Sequence, residues 1–204
     1  DSIAKFLFTS GSTKLPKAVI TTQRMLCANQ QMLLQTFPVF GEAPPVLVDW
    51  LPWNHTFGGS HNVGIVLYNG GTFYLDDGKP TAQGFAETLR NLKEISPTAY
   101  LTVPKGWEEL VSALEQDGEL RERFFERISR FFFAAAGLSQ STWDRLDKVA
   151  EQHCGERSRM MAGLGMTEAW RSCSFTTGPL SMAGYIVLPA PGCEVRLVPV
   201  DGKF

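Results

Sequence analysis

Phe8-Thr9-Ser10-Gly11-Ser12-Thr13-Lys14-Leu15-Pro16-Lys17-Ala18 is the stretch around which the rest of the chain is organised. It follows an apolar run, 3–8, that reads as a strand, and it sets four hydroxyl residues around one glycine before a Pro-Lys pair. Such a loop can hold phosphate. A glycine without Cβ lets backbone N–H groups approach an anion, Thr9, Ser10, Ser12 and Thr13 add donors, and Lys17 adds charge. The same composition also suits an ordinary Ser/Thr/Gly hairpin turn. A Walker motif is excluded, because it needs G-x-x-x-x-G-K-[ST] running into a helix, whereas Lys17 is followed by Ala18-Val19-Ile20, a second strand by its pattern.

Working outward, Thr21-Thr22 predicts the cap of a helix whose apolar positions Met25, Ala28 and Met32 recur at helical spacing until Pro38. Strands are predicted over 46–51, 72–75, 99–103, 131–136 and 158–162. Between them come helices over 56–68, around Phe85, Leu89 and Leu92, around Trp107, Leu110 and Leu114, and around Leu120 and Phe124. A capping box at Ser141-x-x-Asp144 predicts one more, with Trp143, Leu146 and Ala150 on its inner side. Strand and helix alternating this often imply an α/β fold, repeated βαβ units forming a largely parallel sheet flanked by helices. Ligands of such sheets sit at the carboxyl ends of the strands. His55, Ala135-Ala136-Gly137 and Thr167-Glu168 all fall at such ends. Domain 1–177 is expected to be this α/β core, and 178–204, with short β segments at 185–188 and 194–199, the start of a small β-barrel subdomain.

Composition narrows the function. With 44% apolar and 20% charged residues the chain has a core to bury, and a net charge of −2 argues against a general nucleic-acid binder. No apolar run approaches membrane-spanning length. Cys27, Cys154, Cys173 and Cys193 form no C-x-x-C pair, so neither a zinc knuckle nor a redox motif is suggested and a reduced, cytoplasmic setting is expected. His55 and His61 are six apart and do not match H-E-x-x-H. Gly163-x-Gly165 has no third glycine and comes late in the alternation, so a Rossmann reading is set aside.

Four ordered motifs carry a resemblance that spans nearly the whole chain. The loop at 8–18 resembles the phosphate loop of the adenylate-forming enzymes (acyl-CoA synthetases, luciferases and peptide-synthetase adenylation domains), with Lys14 and Ala18 in place of two of its glycines. Pro52-Trp53-Asn54-His55 matches that family's Pro-x-x-His. Leu164-Gly165-Met166-Thr167-Glu168 matches its Tyr-Gly-x-Thr-Glu, with leucine in place of the aromatic residue. Gly184 to Gly192 resembles the Pro-rich segment that opens its barrel subdomain. Details around Gly137-Leu138-Ser139-Gln140 and Gly163 look most like the feruloyl-CoA synthase branch.

The resemblance implies an ATP-dependent carboxylate–CoA ligase: a carboxylate and Mg-ATP give acyl-AMP and pyrophosphate, and coenzyme A then forms the thioester. Its partners would be ATP, coenzyme A and a small carboxylic acid, aromatic or phenylpropenoid in the branch it most resembles. Thr9, Ser10, Gly11, Ser12, Thr13 and Lys17 would hold phosphates. Ala135, Ala136, Gly137, Leu164, Gly165 and Met166 would border the nucleotide, and Trp53, His55, Phe57 and Gly163 the acid. Lys17, Thr167 and Glu168 would act in the first step, Thr167 on a phosphate oxygen and Glu168 on Mg2+, a hard cation suited to one carboxylate plus phosphates. No general base is required, since the attacking carboxylate is already an anion at neutral pH. Asp1 opening directly into a strand and the stop at 204 suggest an excised piece, without the family's C-terminal catalytic domain and inactive alone. A non-catalytic nucleotide-binding or interaction module on the same scaffold is the alternative.

Overall fold

The computed structural model describes residues 2–9, 15–169, 171–176, 182–185, 188–196 and 198–199. Strands β1 (Ile3–Thr9) and β2 (Lys17–Thr22) form an antiparallel hairpin in which Thr9 faces Lys17 at the mouth of the loop. Residues 10–14, and with them the expected phosphate contacts of Ser10, Gly11, Ser12 and Thr13, lie outside the described residues. Helix α1 (Gln23–Thr36) starts where the two threonines predict: the Thr22 hydroxyl accepts from the Met25 N–H, and the Met25 sulfur accepts from the Thr22 N–H. A one-turn α2 (Val39–Glu42) follows Pro38.

Strand β3 (Val46–Asp49) pairs in parallel with β4 (Thr72–Leu75). Between them a π-helical turn, Phe57–Asn62, runs into α3 (Val63–Asn69), which ends on left-handed Gly70. Helix α4 (Ala82–Glu94), strand β5 (Ala99–Thr102), helices α5 (Pro104–Gln116) and α6 (Gly118–Phe125), strand β6 (Arg130–Phe133) and helix α7 (Gln140–Cys154) continue the alternation. Strand β7 (Met160–Met166) completes a parallel run, β5–β6–β7. Thr98 stitches this run to β3: its N–H donates to the Val46 carbonyl and its hydroxyl oxygen accepts from the Val46 N–H, both at 2.9 Å.

The parallel strands are apolar on both faces because helices cover both. Tyr100, Phe131, Phe133, Met160 and Ala162 point towards α4–α7, where Trp107, Leu110, Leu114 and Trp143 are buried. Their neighbours Ala99, Leu101, Phe132 and Met161 point the other way, into a second core with Met32, Leu33 and Phe40 of α1 and α2 and Ile65 of α3. The α/β fold expected from the alternation is therefore present, helices on either side of a sheet whose centre is parallel.

Four boundaries differ from the sequence reading. Strand β3 stops at Asp49 instead of 51, because the Asp49 carboxylate accepts from the Leu51 N–H at 2.8 Å and bends the chain. Strand β6 stops at Phe133, because Ala135 has φ +75° and leaves the sheet. Helix α7 is capped by Ser139, whose hydroxyl accepts from the Thr142 N–H, so Ser141 falls inside the first turn and the capping box expected there is not formed. Strand β7 runs on past the expected end at 162 through Gly163–Met166, because β8 (Arg171–Phe175) folds back against it antiparallel and is extended by β9 (Leu188–Pro189). Of the expected strand over 185–188, residues 186 and 187 lie outside the described residues, and no described residue of 194–199 is in a strand. Among the described residues no closed barrel forms and no helix is long and apolar enough to cross a membrane.

Candidate active site

The carboxyl ends of β3, β6 and β7 open on a cavity of about 240 Å³. Its outer rim holds exposed His55, Gly165 and Met166, with Thr167 half-buried; its inner end is closed by the buried rings of Phe57, His61 and Phe132. Ala134, Ala135 and Gly163 complete the wall with almost no side chain. Ala135 is the non-glycine residue that takes a positive φ among the described residues, a conformation costly enough to mark a site where the fold over-determines the backbone.

Each wall is set by local chemistry. The π-helical turn sits hard against the chain leaving β3: a Cβ on Gly59 would lie 1.8 Å from the Trp53 carbonyl oxygen, and one on Gly58 2.7 Å from that of Pro52. Only glycines allow this approach. The wide turn leaves carbonyls in need of donors, and buried Gln30 of α1 donates its Nε2 to Ser60 O at 3.0 Å and His61 O at 3.4 Å. Lys5 of β1 donates to Gly59 O at 2.8 Å, tying the hairpin to the same turn. Trp107 Nε1 donates to the Phe132 carbonyl at 3.1 Å and holds the end of β6.

Two histidines border the cavity in opposite states. His55 Nδ1 accepts from the Phe57 N–H at 3.2 Å, so its proton sits on Nε2 and the ring offers a donor at the rim. His61 is 5% exposed, stacks on Phe132 with ring centroids 5.1 Å apart, and places Nδ1 2.9 Å from Asn62 Oδ1. The Asn62 amide is oriented by its other end, Nδ2, which donates to Asp49 Oδ2 at 2.8 Å and to the Leu101 carbonyl at 3.3 Å. Burial pushes His61 down to about 4, so it is neutral at physiological pH. Burial also pushes Asp49 up to about 6, against the hydrogen bonds from Leu51 and Asn62 and with help from the nearby charge of Asp76.

The cavity gathers His55, Phe57, Ala135, Gly163, Gly165, Met166 and Thr167 from the residues singled out in the sequence. It does not gather the others. Trp53 stacks edge-on against Phe73 outside it, Leu164 is exposed on the other side of β7, and Ala136 and Gly137 are exposed beyond the wall. Glu168 is exposed in the turn after β7, next to Thr167, whose hydroxyl lies 3.4 Å from that of Thr56. Thr9 and Lys17 stand on the hairpin, Lys17 exposed. Sequence reasoning missed Thr56, Asn62, Asp49 and Phe132, and set His61 aside with the metal pattern. A signal existed: three polar residues inside otherwise apolar segments.

Gly163 makes a direct test of this geometry. A Cβ there would lie 2.6 Å from Phe132 Cζ and 3.2 Å from its Cε2, in a ring already packed on His61, Phe57 and Phe175. Gly163→Ala is expected to lower stability by about 1–3 kcal/mol and to constrict the inner end of the cavity. Thermal unfolding read beside analogue binding checks both effects; an unchanged midpoint would contradict the packing described.

Parallel strands covered by helices on both sides, with a recess at the strand ends beside Thr167, define an α/β protein whose cavity lies where such sheets bind ligands. The AMP-binding enzyme family profile matches residues 1–203, and the chain belongs to that family. It is 27% identical over 234 residues to the long chain acyl-CoA synthetase 6, peroxisomal, of Arabidopsis thaliana, covering 98% of this chain and 32% of that protein. A malonyl-CoA ligase solved with methylmalonyl-CoA and AMP superposes with a TM-score of 0.76 at 25% identity, over 96% of this chain and 39% of that one. An anthranilate CoA ligase solved with anthranoyl-AMP shares the fold, TM-score 0.76 at 18% identity, over 98% and 36% of the two chains. The chain thus spans about a third of the length of the long chain acyl-CoA synthetase it matches.

Proposed function

We propose that the intact protein is an AMP-forming carboxylate–CoA ligase. The observation that carries the reading is the cavity itself: an aromatic inner end, a small-residue wall, and a rim that holds both His55 and Thr167, with exposed Glu168 next along the chain. A carboxylic acid placed with its apolar body inward presents its carboxylate at that rim, where a carboxylate oxygen attacks the α-phosphorus of ATP and pyrophosphate leaves. A coenzyme A thiolate then attacks the acyl carbon and AMP leaves. Positioning and charge neutralisation supply the first step. Thr167 donates to a phosphate oxygen, the loop from Thr9 to Thr13 with Lys17 holds the outer phosphates, and Ala135, Ala136, Gly137, Leu164, Gly165 and Met166 border the nucleotide.

The described residues fit a substrate-borne Mg2+ better than a resident metal. No group of three or more His, Cys, Asp or Glu side chains that could hold a metal forms among them, while Glu168 offers one exposed carboxylate beside Thr167. Mg2+ accepts one carboxylate plus phosphates and water. When bound with ATP it neutralises phosphate charge.

Our reading of the acid is a short aromatic one, a phenylpropenoid acid such as ferulate, which the size and aromatic lining of the recess support. At about 240 Å³ the cavity falls below the usual range for drug-sized ligands, and Phe57, Phe132 and His61 form a flat-sided inner end. Exposed thiols at Cys27 and Cys154 support a reducing, cytoplasmic setting.

Acid-dependent exchange of label between pyrophosphate and ATP, measured on the intact protein, tests the reading. Exchange should require both a carboxylic acid and Mg2+, and fall about 100-fold in Thr167→Val. Absence of exchange across short aromatic, short aliphatic and long-chain acids would overturn it.

A further inference from the structure

We infer that the amino ends of β6 and β7, at the opposite end of these strands from the candidate active site, form an anion-binding site in which Arg130 and Arg159 hold a phosphate group, free or carried by a small phosphomonoester.

A second cavity, of about 260 Å³, opens there, where α6 and α7 end. Phe125, Ile128 and Phe131 give it an apolar wall, and Arg130, Arg157 and Arg159 its charged side. Arg130 and Arg159 each stand one residue before the first pair of the β6–β7 ladder, Phe131 with Met160, and so lie side by side where neighbouring parallel strands begin. Such strands run about 5 Å apart, and like charges set opposite each other on them repel.

The carboxylates nearby do not remove that repulsion. Arg157 is satisfied by Glu151 at 2.8 Å. Arg159 reaches Glu156 only at 3.6 Å, and both side chains are largely exposed, a pairing that contributes little. Arg130 is half-buried, and no carboxylate among the described residues lies within ion-pairing distance of it; Glu42 acts on it only through space. One of its five N–H groups donates to the Ser129 carbonyl at 2.6 Å. Burial, and after it the charge of Arg159, hold the Arg130 guanidinium below its ordinary value, but an arginine stays protonated at physiological pH. Nor are the two arginines spent on the helix ends: among the described residues neither donates to a carbonyl in the last turn of α6 or α7. The serines of the cavity are already committed, Ser158 by its N–H and hydroxyl to Asp147, and the Ser129 hydroxyl to the Thr98 carbonyl. The groups left to bind are guanidinium forks, whose planar donors match phosphate oxygens. A phosphate between them neutralises the pair, and the apolar wall suits the organic part of an ester.

Cys154 lines the same cavity with an exposed thiol and serves as a local reporter. The intact protein is alkylated with iodoacetamide, and the rate at Cys154 is followed by peptide mass spectrometry at constant ionic strength. With two charge-assisted contacts and a Kd on the order of a few millimolar, inorganic phosphate at about 10 mM should slow the reaction roughly 3- to 10-fold relative to chloride. Phenyl phosphate distinguishes the sources: protection at lower concentration than inorganic phosphate assigns the site to a phosphomonoester, and equal protection assigns it to free phosphate. Arg130→Gln should abolish the protection. Arg159→Gln, at an exposed position where folding is not at stake, should weaken it at least 3-fold. Three results would overturn the inference. They are no protection by either phosphate, protection undiminished in both variants, which would place the bound anion elsewhere, and a Cys154 that reacts only after unfolding, which would mean that the cavity is closed to solutes.

Discussion

Trp107→Ala should cost about 3–5 kcal/mol, at the top of the range for a single core truncation, and leave the chain close to unfolding at physiological temperature. Trp107 is fully buried in the core beneath α4–α7, edge-on to Tyr100 at 5.3 Å and tilted against Phe131 at 5.8 Å. Truncation would open a cavity that rings fixed on two strands cannot collapse into. It would also remove the Nε1 donor that satisfies the Phe132 carbonyl at the end of β6. Total stabilities of such domains are about 5–15 kcal/mol, so the loss is a large share. Denaturant unfolding at constant m-value measures it, and a midpoint within experimental error of the unaltered chain would contradict the account. Trp107→Phe, which keeps most of the ring packing and loses the donor, should separate the two contributions.

The second large effect concerns pH. Asp49 sits at about 6 in the folded chain against an ordinary 3.8, so as pH rises between these values the unfolded chain gives up its proton first and folded stability falls, by about 3 kcal/mol in all. His61 works in the opposite sense. It sits at about 4 against 6.5, so over that interval the unfolded chain holds more protons and stability rises with pH, again by about 3 kcal/mol. The two nearly cancel, and the unaltered chain should show little net slope from this pair between pH 4 and 6.5. Asp49→Asn removes one side of the balance. The stability of that variant relative to the unaltered chain should rise by about 3 kcal/mol between pH 4 and 7, even though the substitution loses one of two hydrogen bonds, since a single amide oxygen cannot serve both the Leu51 N–H and Asn62 Nδ2. Parallel denaturation series at several pH values check it; a constant difference across that range would mean that Asp49 is not held near 6.

Much of the architecture was legible because apolar runs and helical spacing are local signals. The run at 46–49, the β-branched and aromatic strands at 99–102 and 130–133, and the i, i+4, i+7 pattern of Phe85, Leu89 and Leu92 all became the elements expected of them. Boundaries failed where a polar or strained residue intervened: Asp49 ends β3 by capturing Leu51, Ala135 ends β6 by its left-handed backbone, and Ser139 takes the cap from Ser141. Strand β8 went unread because Arg171–Phe175 is short, has little alternation, and is a strand only by pairing with β7.

The site divides in the same way. Motif order alone pointed to residues at strand ends, and His55, Phe57, Ala135, Gly163 and Thr167 could be named from it because each lies beside a strand that the apolar pattern marks. The joining of Asp49, Asn62 and His61 into one chain of bonds could not be read, since it spans β3, a π-helical turn and, through Leu101, β5. Linear sequence determined the alternation of strand and helix, the two-sided burial of the sheet and the place of the hydroxyl-rich loop, all set by side-chain chemistry over a few neighbouring positions. Tertiary structure alone decided which nitrogen of each histidine carries its proton and which residues close the cavity. Those depend on hydrogen-bond partners and ring contacts that only strand pairing and helix packing bring within reach.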